Sequence, residues 1–338
     1  MPLCIMGTLK LAISIGISPR QTLASWRELV SELESSGVER LWLIDSQLAM
    51  KDVYAGLYLA AEATTRMELG TGVTNPLTRH PTVTANAIAA LSELSGGRAL
   101  LGLGAGDSAV YGVGWKPARV AEVEAALAFF RDVLNGREGA WEGRTYRLPH
   151  LAAPVPIHLA TSQRRMCTLA GRLCDGVILM GPAEAGFVRR QVEWVEAGIA
   201  EAGRRRDEVE INLMTTLSAR DDPGLALDDV RSWASTEARL IADFAEFPPS
   251  LERFRSEIER ARDDYDYSQH LSTHADHQGA VGDELTRTLA VAGTAEECRQ
   301  RVTELLATGI DGCIFPLLGG GRAGRLKVLK QVMPATAG

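Results

Sequence analysis

The 338-residue chain has no run of apolar residues long enough to cross a bilayer. Its longest stretches free of Asp, Glu, Lys and Arg, such as Leu148 to Gln163, are broken by prolines and fall short of the roughly 20 residues a spanning helix needs. It also lacks an excess of positive charge: 43 acidic against 36 basic side chains leave a net charge of -7. No basic stretch is interleaved with aromatics, so a nucleic-acid surface has no electrostatic basis. The first residues, Met1 to Ser14, show no charged segment followed by a long apolar one and a small-residue cleavage site, and a cytoplasmic location is expected. Cysteine is scarce and unpaired: Cys4, Cys167, Cys174, Cys298 and Cys313 are odd in number and form no CxxC motif. A disulfide framework and a zinc knot are excluded, and buried inert thiols are expected. Neither a GxSxG elbow nor a Walker GxxxxGK[ST] loop occurs, which argues against hydrolase and phosphoryl-transfer chemistry.

What is present is an ordinary globular composition, 46% hydrophobic and 23% charged, arranged as short apolar runs alternating with longer amphipathic ones. That alternation marks repeated βα units around a parallel sheet. Strands are expected at Leu9 to Ile15, Arg40 to Ile44, Met67 to Gly72, Ala99 to Leu103, Ile157 to Ala160, Val177 to Met180, Glu210 to Leu217 and Cys313 to Phe315. The first helix is expected to open at Pro19 and to run to about Ser36. Eight units favour a closed (β/α)8 barrel, a TIM barrel, over an open doubly wound sheet. The chain reads as one barrel domain over 1-338 with two insertions, a short hairpin at Ala140 to Leu148 and a lid region at about 218-284. The second holds an amphipathic helical run, Leu251 to Arg262. Long segments of this kind in a compact fold are usually lids or partner surfaces.

In a barrel of this type the active site lies where strands end and βα loops begin. That rule selects Ser14, Asp45, Ser46, Gly72 to Asn75, Gly104 to Ser108, Thr161 to Arg165, Gly181, Pro182 and Pro316. The Gly102-Leu-Gly-Ala-Gly-Asp107 run is not a dinucleotide fingerprint, because its third glycine is misplaced and it follows the fourth strand. Its glycines suit a sharp backbone turn under a flat ligand, with Asp107 pointing inward or capping a helix. Thr161-Ser-Gln-Arg-Arg165 brings hydroxyls, free amides and two cations to a helix start, which suits a phosphate. Simple N-capping by Thr161 or Ser162 uses the same residue types. His80 faces the rim or caps the helix that starts at Pro81. His270, His274 and His277 stand at helical spacing with Asp276 among them, yet their loop-like neighbours favour a solvated lid, and no metal is expected. With no side-chain nucleophile in view, a cofactor carrying its own reactive atom fits these absences.

The runs Gly72-Val-Thr-Asn-Pro-Leu-Thr-Arg-His-Pro81, Leu91-Ser-Glu-Leu-Ser-Gly-Gly-Arg98 and Gly102 to Asp107 resemble those of the bacterial-luciferase-like oxidoreductases. They look most like the deazaflavin-dependent branch, typified by methylenetetrahydromethanopterin reductase. Pro156 to Gly176 and Gly293 to Asp311 are similar to later parts of the same family, so the resemblance covers most of the chain. It implies a barrel that binds coenzyme F420 at its C-terminal rim, through Ser14, Ser46, Gly72, Val73, Thr74, Asn75, Gly104, Ala105 and Gly106. The phosphate would lie against Thr161, Ser162, Gln163, Arg164, Arg165, Gly181 and Pro182. It implies a non-prolyl cis peptide between Gly72 and Val73, and hydride transfer to or from a small metabolite. Asp107 is then the proton donor or orienting group, with Asp45 second.

Two positions depart from the family: Ser14 stands where a carboxylate is common, and Ser46 where a histidine often follows the aspartate. The alternatives are an FMN-dependent luciferase-like monooxygenase and a non-catalytic flavin-binding barrel. A homodimer is expected, through faces around Leu57, Ala60 and Ala61 or around Ile88 and Leu91.

Overall fold

Alternation with a period of two divides the strand residues into an inner and an outer set, and that division builds the molecule. The computed structural model describes residues 10-264, 281-317, 326-329 and residue 332. Eight parallel strands close into a barrel: β1 (Ala12–Ile15), β2 (Arg40–Leu43), β3 (Glu68–Thr71), β4 (Ala99–Leu103), β7 (Ile157–Thr161), β8 (Gly176–Leu179), β9 (Glu210–Met214) and β12 (Gly312–Pro316). Helices α1 (Leu23–Ser35), α2 (Val53–Ala63), α3 (Pro81–Ser95), α5 (Val120–Val133), α6 (Arg164–Leu173), α7 (Ala185–Glu201) and α11 (Ala295–Leu306) lie between strands in the chain. The outward set, including Ile13, Leu41, Leu43, Leu101, Val177, Ile211 and Phe315, joins the helices in one large core. The inward set, Ala12, Trp42, Leu100, Ile178, Met214 and Ile314, forms a second cluster inside the barrel.

Most boundaries agree with the sequence reading to within a few residues. The first helix starts later than expected, because Thr22 accepts a hydrogen bond from the Ser25 amide at 3.1 Å and caps the helix there. The strand expected to run from Glu210 to Leu217 is two strands. The chain leaves the barrel wall after Met214, and β10 (Leu217–Ala219) pairs in parallel with β11 (Val291–Gly293) in a separate sheet. The hairpin is present as β5 (Gly139–Trp141) and β6 (Arg144–Tyr146). The polar segment after β10 holds a 20-residue helix that the sequence reading did not single out, α8 (Pro223–Ala242). It continues with a 3-10 turn (Pro249–Phe254), α9 (Arg255–Asp263) and α10 (Asp283–Leu289). The histidines at 270, 274 and 277 lie outside the described residues, as does Cys4.

Inside the barrel, glycines make room for two large rings. A Cβ on Gly70 would lie 2.6 Å from the Trp42 ring, and one on Gly176 would lie 2.1 Å from His158 Nδ1. Trp42 and His158 meet edge to face, with centroids 5.1 Å apart. Below them Arg40, only 3% exposed, closes the N-terminal end. It donates to Glu68 at 2.7 Å and to both oxygens of Glu210 at 2.9 Å. That end is a plug and the opposite end is left for chemistry.

The expected dimer faces need correction. Leu57, Ala60, Ala61, Ile88 and Leu91 are all buried within the single chain, where α2 and α3 pack on the barrel and on each other.

Candidate active site

The loop after β3 shapes one side of the barrel mouth. The Gly72–Val73 peptide bond is cis. Thr74 then bridges back to β4, its amide donating to Gly102 O at 2.9 Å and its carbonyl accepting from Gly104 N at 2.8 Å. Val73 packs against the inner cluster, within 3.1 Å of where a Gly102 Cβ would lie and 2.9 Å of where a Gly104 Cβ would lie. The glycine run therefore has a packing cause: Gly102 lies under Trp42 and Val73, and Gly104 under Val73. Only Gly106, with φ +98°, uses the freedom of glycine to turn.

Asp45, just beyond β2, is buried and fully engaged. It accepts from Thr74 Oγ1 at 2.7 Å and from the Arg79 guanidinium, whose Nη2 lies 3.1 Å from Oδ1. A carboxylate held in a fork by arginine has its lone pairs committed. Asn75 folds its own loop, its Oδ1 accepting from the amides of Leu77 and Thr78. His80 caps α3 through Nδ1, with Pro81 in the first turn. Ser14 is buried at the upper end of β1, and Ser46 Oγ meets Ser108 Oγ at 3.0 Å.

Asp107 stands before the short helix α4 (Ser108–Tyr111) but makes no side-chain cap bond. It faces Arg239 of α8, whose Nη2 lies 3.4 Å from each carboxylate oxygen. Ala105 is half-buried, and its carbonyl accepts from Ala118 N at 2.8 Å.

At the β7–α6 junction neither Thr161 nor Ser162 is the cap. Gln163 is the N-cap residue, and its side chain makes no cap bond. Instead Gln163 Oε1 accepts from Ala245 N at 3.0 Å, so among the described residues no side chain caps the first amides of α6, beside the exposed Arg164 and Arg165. Buried Gln191 of α7 donates to Ser162 O at 3.0 Å and to Met180 O at 2.8 Å. It thereby fixes this loop to the one carrying Gly181 and Pro182. A cavity of about 320 Å³, lined in part by Ser162 to Met166, Phe187 and Phe244, lies alongside.

Sequence reasoning missed three contributors. Gln191 sits mid-helix, where nothing in its neighbours marks it. Glu237 and Arg239 belong to α8, inside the segment taken as an insertion; their residues 232-239 read as polar yet are all buried. Burial pushes the Glu237 carboxyl up to about 8, with the Asp107 charge adding to the rise and Arg239 opposing it. The four described cysteines are buried, and burial raises the Cys167, Cys298 and Cys313 thiols to about 12, which keeps them inert. No group of metal-ligating side chains and no helix long and apolar enough to cross a membrane occurs among the described residues.

Comparison with known proteins agrees with this architecture. A family model described as luciferase-like monooxygenase matches residues 8–312. The chain is 30% identical to the 5,10-methylenetetrahydromethanopterin reductase of Methanolobus tindarius over 294 residues, 82% of this chain and 85% of that protein. It is 32% identical to the F420-dependent glucose-6-phosphate dehydrogenase of Nakamurella multipartita over 185 residues, 51% of this chain and 55% of that one. The solved structure of the coenzyme F420 dependent tetrahydromethanopterin reductase of Methanopyrus kandleri superposes with a TM-score of 0.77 at 22% identity, covering 96% of this chain and 98% of that one. The barrel, its mouth and these matches establish that the chain belongs to the luciferase-like family.

Proposed function

We propose that the chain is a coenzyme F420-dependent oxidoreductase that moves a hydride between the deazaflavin and a small metabolite. The reaction is reduction of a C=C or C=N bond, or its reverse. The observation that carries this reading is the pairing of two features at the barrel's C-terminal end: the Val73 bulge over Gly102 and Gly104, and the uncapped start of α6 beside Arg164 and Arg165. The residues present fit such a group. Helix-start amides and two guanidinium groups suit its phosphate. Gly72, Val73, Thr74, Asn75, Gly104, Ala105 and Gly106 would support its ring, with Ser14 and Ser46 at the edge, and Gly181 and Pro182 would stand next to the phosphate.

When bound, the deazaflavin supplies the hydride chemistry at its ring. The chain's own residues do the rest. Arg164 and Arg165 hold the anionic tail, while Gln191 keeps their loop in register with Gly181. Asp45 orients Thr74 and Arg79 behind the bulge. Asp107, aligned by Arg239, orients what binds over the ring. Similarity to an F420-dependent glucose-6-phosphate dehydrogenase favours F420 over FMN.

The test is an assay with coenzyme F420 against a panel of enones, cyclic imines, secondary alcohols and glucose 6-phosphate. Coenzyme turnover without oxygen consumption is the expected result. Oxygen consumption that depends on reduced FMN would move the chain to the monooxygenases.

A further inference from the structure

Residues 232-239 of α8, Ser-Trp-Ala-Ser-Thr-Glu-Ala-Arg, are buried on every side. A helix placed this way packs on two fronts. Ala234, Ala238 and Ile241 meet Leu251, Phe254, Ile258, Ala261, Leu285 and Leu289 of the neighbouring 3-10 turn, α9 and α10. Val230 and Trp233, spaced i and i+3, make the other front, and Glu237, i+4 from Trp233 and i−4 from Ile241, stands between the two, near enough to Asp107 for that charge to act on it. Val230 and Trp233 belong to the cluster formed by Trp42, Met214, Ile314 and Val73, so that face looks into the barrel mouth.

Glu237 is fully buried, and among the described residues neither of its oxygens has a hydrogen-bond partner. An orphaned carboxylate in such a place is costly. A residue that served only to pack would carry no such group. The charges acting on it are Arg239, which favours its anion, and Asp107, which favours its acid. The side chains of the 3-10 turn, α9 and α10 in the shared cluster are apolar, and the α10 carboxylate that meets α8, Asp283, pairs with Arg231 at 2.8 Å. Arg239 reaches Asp107, with its Nη2 3.4 Å from the carboxylate.

We infer that Glu237 is the proton donor of this site, a neutral acid at the barrel mouth that protonates the substrate atom not receiving the hydride. This rests on the functional reading above. In the reducing direction the hydride brings both electrons to one atom of the double bond, and the π pair on the other atom takes the proton from Glu237. The coenzyme is oxidised, the substrate is reduced, and the Glu237 carboxylate regains its proton from solvent. In reverse it accepts the proton.

Infrared difference titration of the ligand-free chain reads the proton directly. A carboxylic acid carbonyl band is expected at neutral pH, fading with a midpoint of about 8 and absent from Glu237→Gln. A wild-type chain without that band, or a band unchanged in the variant, overturns the inference.

Kinetics supply the second reading, with reduced coenzyme F420 as donor and cyclohexenone as probe. Glu237→Gln should bind the coenzyme as wild type does, yet transfer about 100-fold more slowly or worse. Glu237→Asp should recover part of the rate. A Glu237→Gln protein of unchanged melting temperature and unchanged rate overturns the inference. If wild type itself fails to bind coenzyme F420, the functional reading fails, and the infrared titration still decides the state of Glu237.

Discussion

Two buried ionisable side chains, Glu237 and His158, tie the stability of the chain to pH in opposite directions. The native Glu237 pKa is raised from 4.5 to about 8, so between those values the folded chain holds a proton that the unfolded chain has lost. Stability from this group is fully present below 4.5 and is lost as pH rises through about 8, at up to about 1.4 kcal/mol per pH unit. Burial, with Arg40 second, lowers His158 from 6.5 to about 4. In that window the unfolded chain binds the proton instead, so stability rises with pH. The two slopes oppose each other where the windows overlap, and above 6.5 only that of Glu237 remains. Urea unfolding at a series of pH values should therefore show wild type losing stability from 6.5 to about 8, with Glu237→Gln flat over the same range. Equal slopes in both proteins would remove the buried acid from the account.

Asp107 was legible in the sequence because it follows a strand and a glycine run. Glu237 was not, since a glutamate in a polar helix acquires its role only from what long-range packing excludes. Asp107→Asn should remove the charge that raises Glu237, and so move its infrared midpoint downward. It should also lower turnover far more than coenzyme affinity.

Among the elements, the barrel strands were readable because strands buried on both faces leave short, nearly continuous apolar runs. Gly70, Gly102 and Gly176 are inward positions whose missing side chains are filled by Trp42 and His158 or, at Gly102, by the neighbouring strand. An alanine at Gly102 would place its Cβ 2.0 Å from Thr71 O. Gly102→Ala should destabilise the fold by about 1 to 3 kcal/mol, read as a lowered denaturation midpoint at constant slope.

The Leu91 to Arg98 run, legible as a family trait, has a structural cause. Gly96 at φ +67° ends α3. Arg98 then donates to the carbonyls of Ala61, Thr64 and Met67, joining the end of α2 to β3. Helix α8 escaped notice because Ser, Thr, Glu and Arg at 232-239 imitate a solvated surface. At the start of α6, Arg164 and Arg165 are exposed, and alanine at either should leave the melting temperature close to wild type. Coenzyme affinity in a binding titration should fall all the same.

For the whole molecule, the barrel separates stability from chemistry along its axis. Arg40, Glu68 and Glu210 close one end, Trp42 and His158 fill the middle, and the loops that carry Val73 and Asp107, the start of α6 and helix α8 gather at the other. Eight alternating units made closure readable from the sequence. Which helix covers the mouth was not, because that depends on the path the chain takes after Met214.

The central claim is that this mouth holds a deazaflavin, and it is tested most directly by titrating the purified chain with oxidised coenzyme F420 and, in parallel, with FMN, followed by fluorescence or calorimetry. Saturable binding of coenzyme F420 in preference to FMN, weakened in the Arg164→Ala and Arg165→Ala variants, is the predicted result. Preference for FMN, or binding of neither, would contradict it.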